Sequence, residues 1–580
     1  MTSRPSGKVE TKTFVLCFDG TGNKFKGDPS DSNVLKVFRM LDRNDYNQYH
    51  YYQPGIGTYV TSASLEQDSR IQKIKSAYLK AKDSAVGSTL ADHVMGGYKF
   101  LMRYYCPGDR IYFFGFSRGA YVARFLAEML DNIGLLEAGN EELIRFTWKT
   151  FAKWQQRGGD TVEKEKLAKY MMAFRETFCH PVSPLRFLGL FDSVNSVPRF
   201  EQAWMQRSDF PYTSRTSAKV IRHAVSIDER RAKFRQDLIS EVKPTASSRR
   251  HRFRDHLERV GISLPHHPIH HHRHEHRKSV GNAEASESKD KAHPCAAYRP
   301  TRRPQSHNPQ LDSAVGSMQD GRSTQCSSVT NDPSFDEDED TPQDIEEVWF
   351  PGCHADIGGG WKLDKDGCAL SHAPLVWMVH KAQGAGLKFD EDKLKHFNCV
   401  DDILDALPES PQAASDSEVD HVDHALHEPQ PPSRKSSTDS EFQYMLRRSS
   451  TDGRIHDCLQ FRNGIGWTSV LSWKLMEYLP FRRMDLQDDG TWKPIRWPLP
   501  CGEVRDIPND AKIHISAINR MMENPDYRPG NLILGGGGRG KRRAPKECGI
   551  GEWDVAGYQG SPIAETYLRS SGAGNSIASH

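Results

Sequence analysis

The amino-acid sequence predicts an α/β fold, with a mostly parallel sheet flanked by helices and interrupted by two long disordered inserts. Three observations predict it. Short apolar runs of strand length alternate with helical patterns, the arrangement that builds a parallel sheet. The passage "RIYFFGFSRGAYVARFL" (110–126) runs from strand through a tight glycine-flanked turn into helix. Residues 244–343 are rich in His, Arg, Ser, Pro, Asp and Gln and poor in large apolars, so they cannot bury enough surface to fold alone, and 405–452 is a second polar insert.

The elements follow in order. "TFVLCFDG" is a buried-type strand ended by Asp19 and Gly20. "SNVLKVFRMLDR" places Val34, Leu35, Phe38 and Leu41 at helical spacing, with Ser32 or Asn33 as N-cap. "HYYQPGIGT" is strand-like and closes at Pro54-Gly55, and residues 85–105 hold a long helix. "DRIYFFGF" is a second strand, and "AYVARFLAEMLDNIG" a second helix stopped by Gly134. "LRFLGLFDSV" is a further buried strand, and "RHAVSIDERRAKF" is expected to be helical. These make residues 11–240 the first part of the core. After the insert 244–343, which carries "HHPIHHHRHEHRK" and "DEDED", the core resumes over 344–404 with the strand of "IEEVWFPGCHADIGGG". The insert 405–452 separates it from a helical and aromatic cap segment over 453–531. A flexible tail is expected over 532–580.

Bulk properties narrow the function classes. The 580 residues carry a formal net charge of +2, which speaks against a general electrostatic grip, so no nucleic-acid partner is expected. The 11 cysteines are scattered without CxxC spacing, so neither a zinc site nor a disulfide framework is implied and a reducing compartment fits. The mean hydropathy of -0.69 agrees with a chain that is partly unfolded. The N-terminal stretch lacks an apolar signal core, and no run approaches the ~18–20 apolar residues of a spanning helix. The expectation is a cytoplasmic protein, with peripheral membrane contact open.

The chemistry centres on Ser117. Gly-Phe-Ser-Arg-Gly matches G-x-S-x-G between strand and helix, where a sharp turn lifts the hydroxyl above the sheet. The bland alternative is a serine capping the helix. A serine nucleophile needs a base and an orienting acid, in the chain order Ser, Asp or Glu, His for this type of fold. Asp192 ends the strand "LRFLGLF" and so lies at the same sheet edge as Ser117. His354, between a strand and the "ADIGGG" loop, is the first candidate base, and His223 is the alternative base. For an oxyanion hole, the amide of Arg118 follows the nucleophile, and the Gly20–Thr21 turn offers a second donor. That turn equally suits a phosphate nest, or a plain tight turn held by Asp19. No metal or other cofactor is implied. "GWTSVLSWKLMEYLPFRR" has the makeup of an interfacial helix, although a helix packed on a core is the commoner reason for it. "RKSSTDSE" and "RRSSTDG" place basic residues before serines, as kinases that select basic sites prefer.

"FDGTGN", "GFSRGAYVAR", "FDSV", "IDERRAKF" and "VWFPGCHADIGGG" occur in that order. Together they resemble the type VI secretion phospholipase-effector-like catalytic domain family, an α/β-hydrolase family with many fungal members. The resemblance covers roughly residues 11–240 and 343–385, and "HDCLQFRNGIGW" and "KIHISAINRMMENPDYRPGNL" resemble the C-terminal part of fungal members. It implies an α/β-hydrolase-like sheet, hydrolysis of ester bonds in phospholipids, and a triad carried over onto Ser117, Asp192 and His354. The chain departs from the family in Phe191, where tryptophan often precedes the acid, and in the long insert between Asp192 and His354. A lipid or ester substrate is therefore expected. An esterase for small soluble esters and a non-catalytic binding protein of the same fold are the alternatives.

Overall fold

A computed structural model describes residues 11–55, 88–155, 161–194, 216–239, 343–363, 367–400, 441–463, 465–480, 483–486, 492–537 and 541–570. The strands are β1 (Thr13–Phe18), β2 (Gln48–Gln53), β3 (Arg110–Phe116), β4 (Leu135–Leu136), β5 (Cys179–His180), β6 (Phe187–Phe191), β7 (Val220–Ser226), β8 (Asp344–Phe350), β9 (Arg483–Leu486), β10 (Trp492–Ile495), β11 (Lys512–His514), β12 (Trp553–Gly557) and β13 (Thr566–Arg569). The helices are α1 (Asn33–Met40), α2 (Ser88–Tyr104), α3 (Arg118–Ile133), α4 (Ile144–Gln155), α5 (Thr161–Phe178), α6 (His354–Gly358), α7 (His372–Gly384), α8 (Glu391–His396), α9 (Glu441–Thr451), α10 (Trp467–Met476) and α11 (Ile515–Glu523).

Among the described residues, nine strands form one sheet in the order β12-β13-β11-β8-β7-β6-β3-β1-β2. The pairings from β2 across to β11 are parallel, while β13 and β12 add antiparallel at one edge. The predicted α/β class is the observed one. The apolar runs exist because the sheet is covered on both faces. In β1, Phe14, Leu16 and Phe18 enter the core under α2 and α3, and Val15 and Cys17 enter the opposite core under α1 and α7. Ser32 caps α1 by accepting from the Leu35 amide, and Gly134 ends α3 at φ 79°.

Three expectations are corrected. "RHAVSIDERRAKF" is not helical: it forms β7, then a single 3-10 turn over Ala232–Phe234. Its polar residues read as a helix surface, yet they lie inside a central strand and are paired by β8. Arg222 meets Glu346 at 3.3 Å and Asp344 at 2.5 Å, and His223 meets Glu347 at 2.8 Å. Second, the end of the 405–452 insert is the helix α9, which buries Phe442 and Leu446. There the "RRSSTDG" serines, Ser449 and Ser450, are buried and donate their hydroxyls to the Leu446 carbonyl, so they offer no docking surface. Third, residues 453–570 are neither mere cap nor free tail. They supply β11, α11, β12 and β13, and a core in which Ile513, Ile518 and Leu532 pack on Val225 and Trp349. The stretches 240–342 and 401–440, with the histidine tract and the "RKSSTDSE" serines, lie outside the described residues.

Candidate active site

Strand β3 ends at Phe116 and α3 begins at Arg118, so one residue, Ser117, makes the whole turn. It does so at φ 59° and ψ -123°, a conformation that costs a non-glycine residue energy and persists only where the surroundings enforce it. Two glycines let those surroundings close in. A Cβ on Gly115 would stand 2.5 Å from Ala120 Cα, and one on Gly119 would stand 2.2 Å from the Phe18 carbonyl oxygen. The helix is thereby pressed against the ends of β3 and β1, and its N-terminus opens beside the serine.

Parallel register brings the second residue to the same edge. Phe116 pairs with Phe191, the Ser117 amide donates to the Phe191 carbonyl at 3.1 Å, and the next residue is Asp192. Asp192 sits at φ 43°, a left-handed conformation that aspartate tolerates better than most residues. The third arrives after β8, two strands further on, where His354 opens the short α6.

The three side chains meet. His354 Nδ1 lies 2.6 Å from Asp192 Oδ2, and His354 Nε2 lies 2.7 Å from Ser117 Oγ. An ionised carboxylate only accepts, so Nδ1 carries the proton and Nε2 is left to accept from the serine hydroxyl. The ring packs against Phe116 and Phe234, with centroids at 4.9 and 4.7 Å. Glu229 accepts the His354 backbone amide at 3.1 Å, and also binds Arg231, whose guanidinium lies 3.7 Å from the Phe234 ring centroid. The imidazole is thus held at its backbone, at its Nδ1 and by two aromatic rings.

Electrostatics follow from burial and pairing. Burial alone would raise the Asp192 carboxyl. The Arg505 guanidinium, followed by the His354 hydrogen bond, overturns this and holds it well below the usual carboxylate range. Burial lowers His354, and Asp192 only partly offsets that, so the imidazole is neutral at neutral pH with its Nε2 lone pair available. Glu229 is likewise opposed by burial, but Arg231 brings it down to about 2.

The other expected residues divide. Arg118 is the first residue of α3, directly after Ser117. Gly20 is corrected as an oxyanion donor: its amide proton goes to Asp19 Oδ1 at 2.6 Å. Asp19 also accepts from Ser32 and Tyr52, so it holds the turn, as the plainest expectation had it. Thr21, next in that turn, has a buried hydroxyl with no hydrogen-bond partner. His223 is placed elsewhere. It lies inside β7, its Nε2 accepts from the Ser193 amide at 3.0 Å and its Nδ1 meets Glu347, which leaves neither nitrogen for Ser117. Among the described residues, no three His, Cys, Asp or Glu side chains gather as metal ligands would. Sequence reasoning missed Glu229 and Arg505. Glu229 lies inside a quoted motif, but only the fold shows that it meets an amide 125 residues away.

Comparison with known proteins bears on this geometry. The model of the family described as "T6SS, Phospholipase effector Tle1-like, catalytic domain" matches residues 12–381, which include Ser117, Asp192 and His354. The chain belongs to this family. The Tle1-like chain is 29% identical over 576 residues to Uncharacterized protein YEL023C of Saccharomyces cerevisiae, across 90% of this chain and 80% of that one. Among solved structures it is similar to an uncharacterized protein from Pseudomonas aeruginosa (16% identity, TM-score 0.27, covering 66% of this chain and 47% of that one). It is also similar to the Tle1 effector bound to the VgrG spike from the type 6 secretion system (17% identity, TM-score 0.22, covering 40% and 48%). The Tle1-like chain thus matches about half the length of those solved chains. Among the described residues, no helix is long and apolar enough to cross a membrane.

Proposed function

We propose that this Tle1-like chain is a serine hydrolase that cleaves carboxylic ester bonds of phospholipids or other lipids through an acyl-enzyme. The observation that carries the proposal is the unbroken path of short contacts from Ser117 Oγ through His354 to Asp192. Ser117 Oγ attacks the ester carbonyl as His354 Nε2 takes its proton. The Arg118 amide and the Thr21 amide are the proposed oxyanion donors, the Gly20 amide being engaged by Asp19. The imidazolium, stabilised by Asp192, protonates the leaving alcohol. Water, deprotonated by the same imidazole, then releases the acyl group.

A lipid substrate is favoured by the surface beside the site. Helix α10 and the residues after it expose Trp467 (69%), Leu471, Leu475 (68%) and Tyr478, and Trp497 (69%) is exposed further along the chain. From the same helix Trp473 reaches inward to Phe234, at 5.5 Å between centroids, and Phe234 lies against His354. An exposed apolar helix whose Trp473 also touches the aromatic ring packed on His354 suits peripheral contact with a lipid surface.

The test compares wild type with Ser117→Ala on phospholipid vesicles, neutral lipid and short-chain esters, together with a fluorophosphonate probe. Hydrolysis and labelling lost in the variant support the proposal. Equal hydrolysis by both proteins overturns it. Activity confined to short soluble esters makes the chain a small-ester esterase, and a wild type that neither labels nor hydrolyses makes it a binding protein.

A further inference from the structure

A buried charge that pairs with Asp192 comes from outside the family-matched residues. Arg505 is fully buried and donates from Nη1 to Asp192 Oδ1 at 2.6 Å and from Nη2 to Asp192 Oδ2 at 2.9 Å. This is the two-pronged match of guanidinium to carboxylate. Its remaining donors are also satisfied: Nε reaches the Phe234 carbonyl at 3.1 Å, Nη2 reaches the same oxygen, and Nη1 reaches the Ser226 carbonyl at 3.3 Å. The Asn531 side chain in turn holds the Arg505 carbonyl at 2.9 Å. Asp192 also accepts from the Ser226 amide and hydroxyl, at 2.9 and 3.2 Å. Both carboxylate oxygens are therefore fully coordinated, and His354 finds Oδ2 in one fixed place.

We propose that Arg505 is a positioning residue for Ser117, His354 and Asp192, a clamp that fixes the Asp192 carboxylate and offsets its charge. The proposal rests on the acyl-transfer reading above. Its consequence is electrostatic as well as steric. The charged groups around His354 are Asp192 and Glu229, both anionic, and Arg231 and Arg505, both cationic. Glu477 lies nearby and accepts the Ala232 and Gly502 amides. With Arg505 in place, the two buried anions are matched by two buried cations, and the imidazole gains little from being protonated. Without it, Asp192 keeps an uncompensated negative charge beside Nδ1, which favours the imidazolium. The clamp also makes the C-terminal segment part of the site.

The test uses the full chain with Arg505→Met and Arg505→Lys, and two readouts: the pH dependence of Ser117 labelling by a fluorophosphonate, and titration of the His354 imidazole by NMR, assigned with His354→Gln. For Arg505→Met the expected result is a labelling rate at least about tenfold lower at neutral pH. The imidazole midpoint and the acid limb should both move upward by about one pH unit. Arg505→Lys keeps the charge but not the fork, so its midpoint stays near that of wild type while the rate falls. A folded Arg505→Met whose imidazole titrates as in wild type overturns the proposal. Should the Met variant not fold, a Lys variant that labels at the wild-type rate at every pH overturns it instead. If the wild type itself does not label, the acyl-transfer reading fails, and the imidazole titration still decides whether Arg505 offsets Asp192.

Discussion

Two buried histidines, His223 and His354, are built alike and are suited to opposite tasks. Each sets Nδ1 against a carboxylate, Glu347 at 2.8 Å for His223 and Asp192 at 2.6 Å for His354. They differ in what faces Nε2. For His223 it is the Ser193 backbone amide at 3.0 Å, and for His354 it is the Ser117 hydroxyl at 2.7 Å. An amide gives a hydrogen bond but does not surrender its proton near neutral pH, so His223 is a strut joining β6, β7 and β8. A hydroxyl gives up its proton as it attacks a carbonyl, and in the proposed reaction His354 is the base that takes it. A carboxylate beside a histidine is therefore not what marks a general base; the group on the other nitrogen is.

The largest expected effects test the task assigned to each ring. Ser117→Ala and His354→Gln should each lower ester hydrolysis by roughly 10^4-fold or more, because members of such a unit fail together. Steady-state rates on the preferred ester, with protein stability unchanged in denaturant titration, are the check. His223→Leu should do the reverse. It leaves the Ser193 amide and the Glu347 carboxylate without their ring partner, at a cost of about 1–3 kcal/mol of stability. Hydrolysis per folded molecule should stay within a few-fold of wild type. If His223→Leu stays stable and loses activity as His354→Gln does, the distinction drawn between the two rings is wrong.

How much of this the sequence revealed follows from distance along the chain. Ser117 was legible because the strand, both glycines and the helix that make its turn lie within "RIYFFGFSRGAYVARFL". Asp192 and His354 were legible as polar residues closing apolar strands. His223 was misplaced because a central strand with Arg and His in it looks amphipathic until β8 supplies Glu346 and Glu347 as partners. Arg505 was not legible at all. It lies 313 residues from Asp192 within "CGEVRDIPND", and nothing local distinguishes it from a surface arginine. The strand β11 was missed for a related reason, since three residues carry no period. Local turns and long apolar runs announce themselves; long-range charge pairing does not.

The next effect is on pH. Because His354 is lowered by burial, hydrolysis should persist below the ordinary imidazole pKa of about 6.5 and fall only as pH drops through the depressed value in the folded protein. Stability should weaken over a window that other histidines set. His50, His93, His372 and His514 are each pulled down to about 4 by burial. Between about pH 6.5 and that value the unfolded chain binds protons that the folded chain does not, so stability declines as pH falls. Melting temperature measured from pH 7 to 4 should decrease steadily. A flat profile would show that these rings take up protons in place.

The smallest effect gives the finest discrimination, through Glu229. Its carboxylate accepts the His354 amide and opposes the Arg231 charge, so it favours the imidazolium, while Arg231 disfavours it. Glu229→Gln keeps an acceptor for the amide but removes the negative charge. Arg231 is then left unopposed near the ring, and the His354 midpoint should move down, by less than about one pH unit. That is opposite in sign to the shift expected when Arg505 is lost. The rate at neutral pH should fall by less than about tenfold, since Ser117, His354 and Asp192 keep their contacts. NMR titration of the His354 imidazole in wild type and Glu229→Gln reads the shift directly. If the His354 midpoint moves up in Glu229→Gln, the ring is not governed by the buried charges around it.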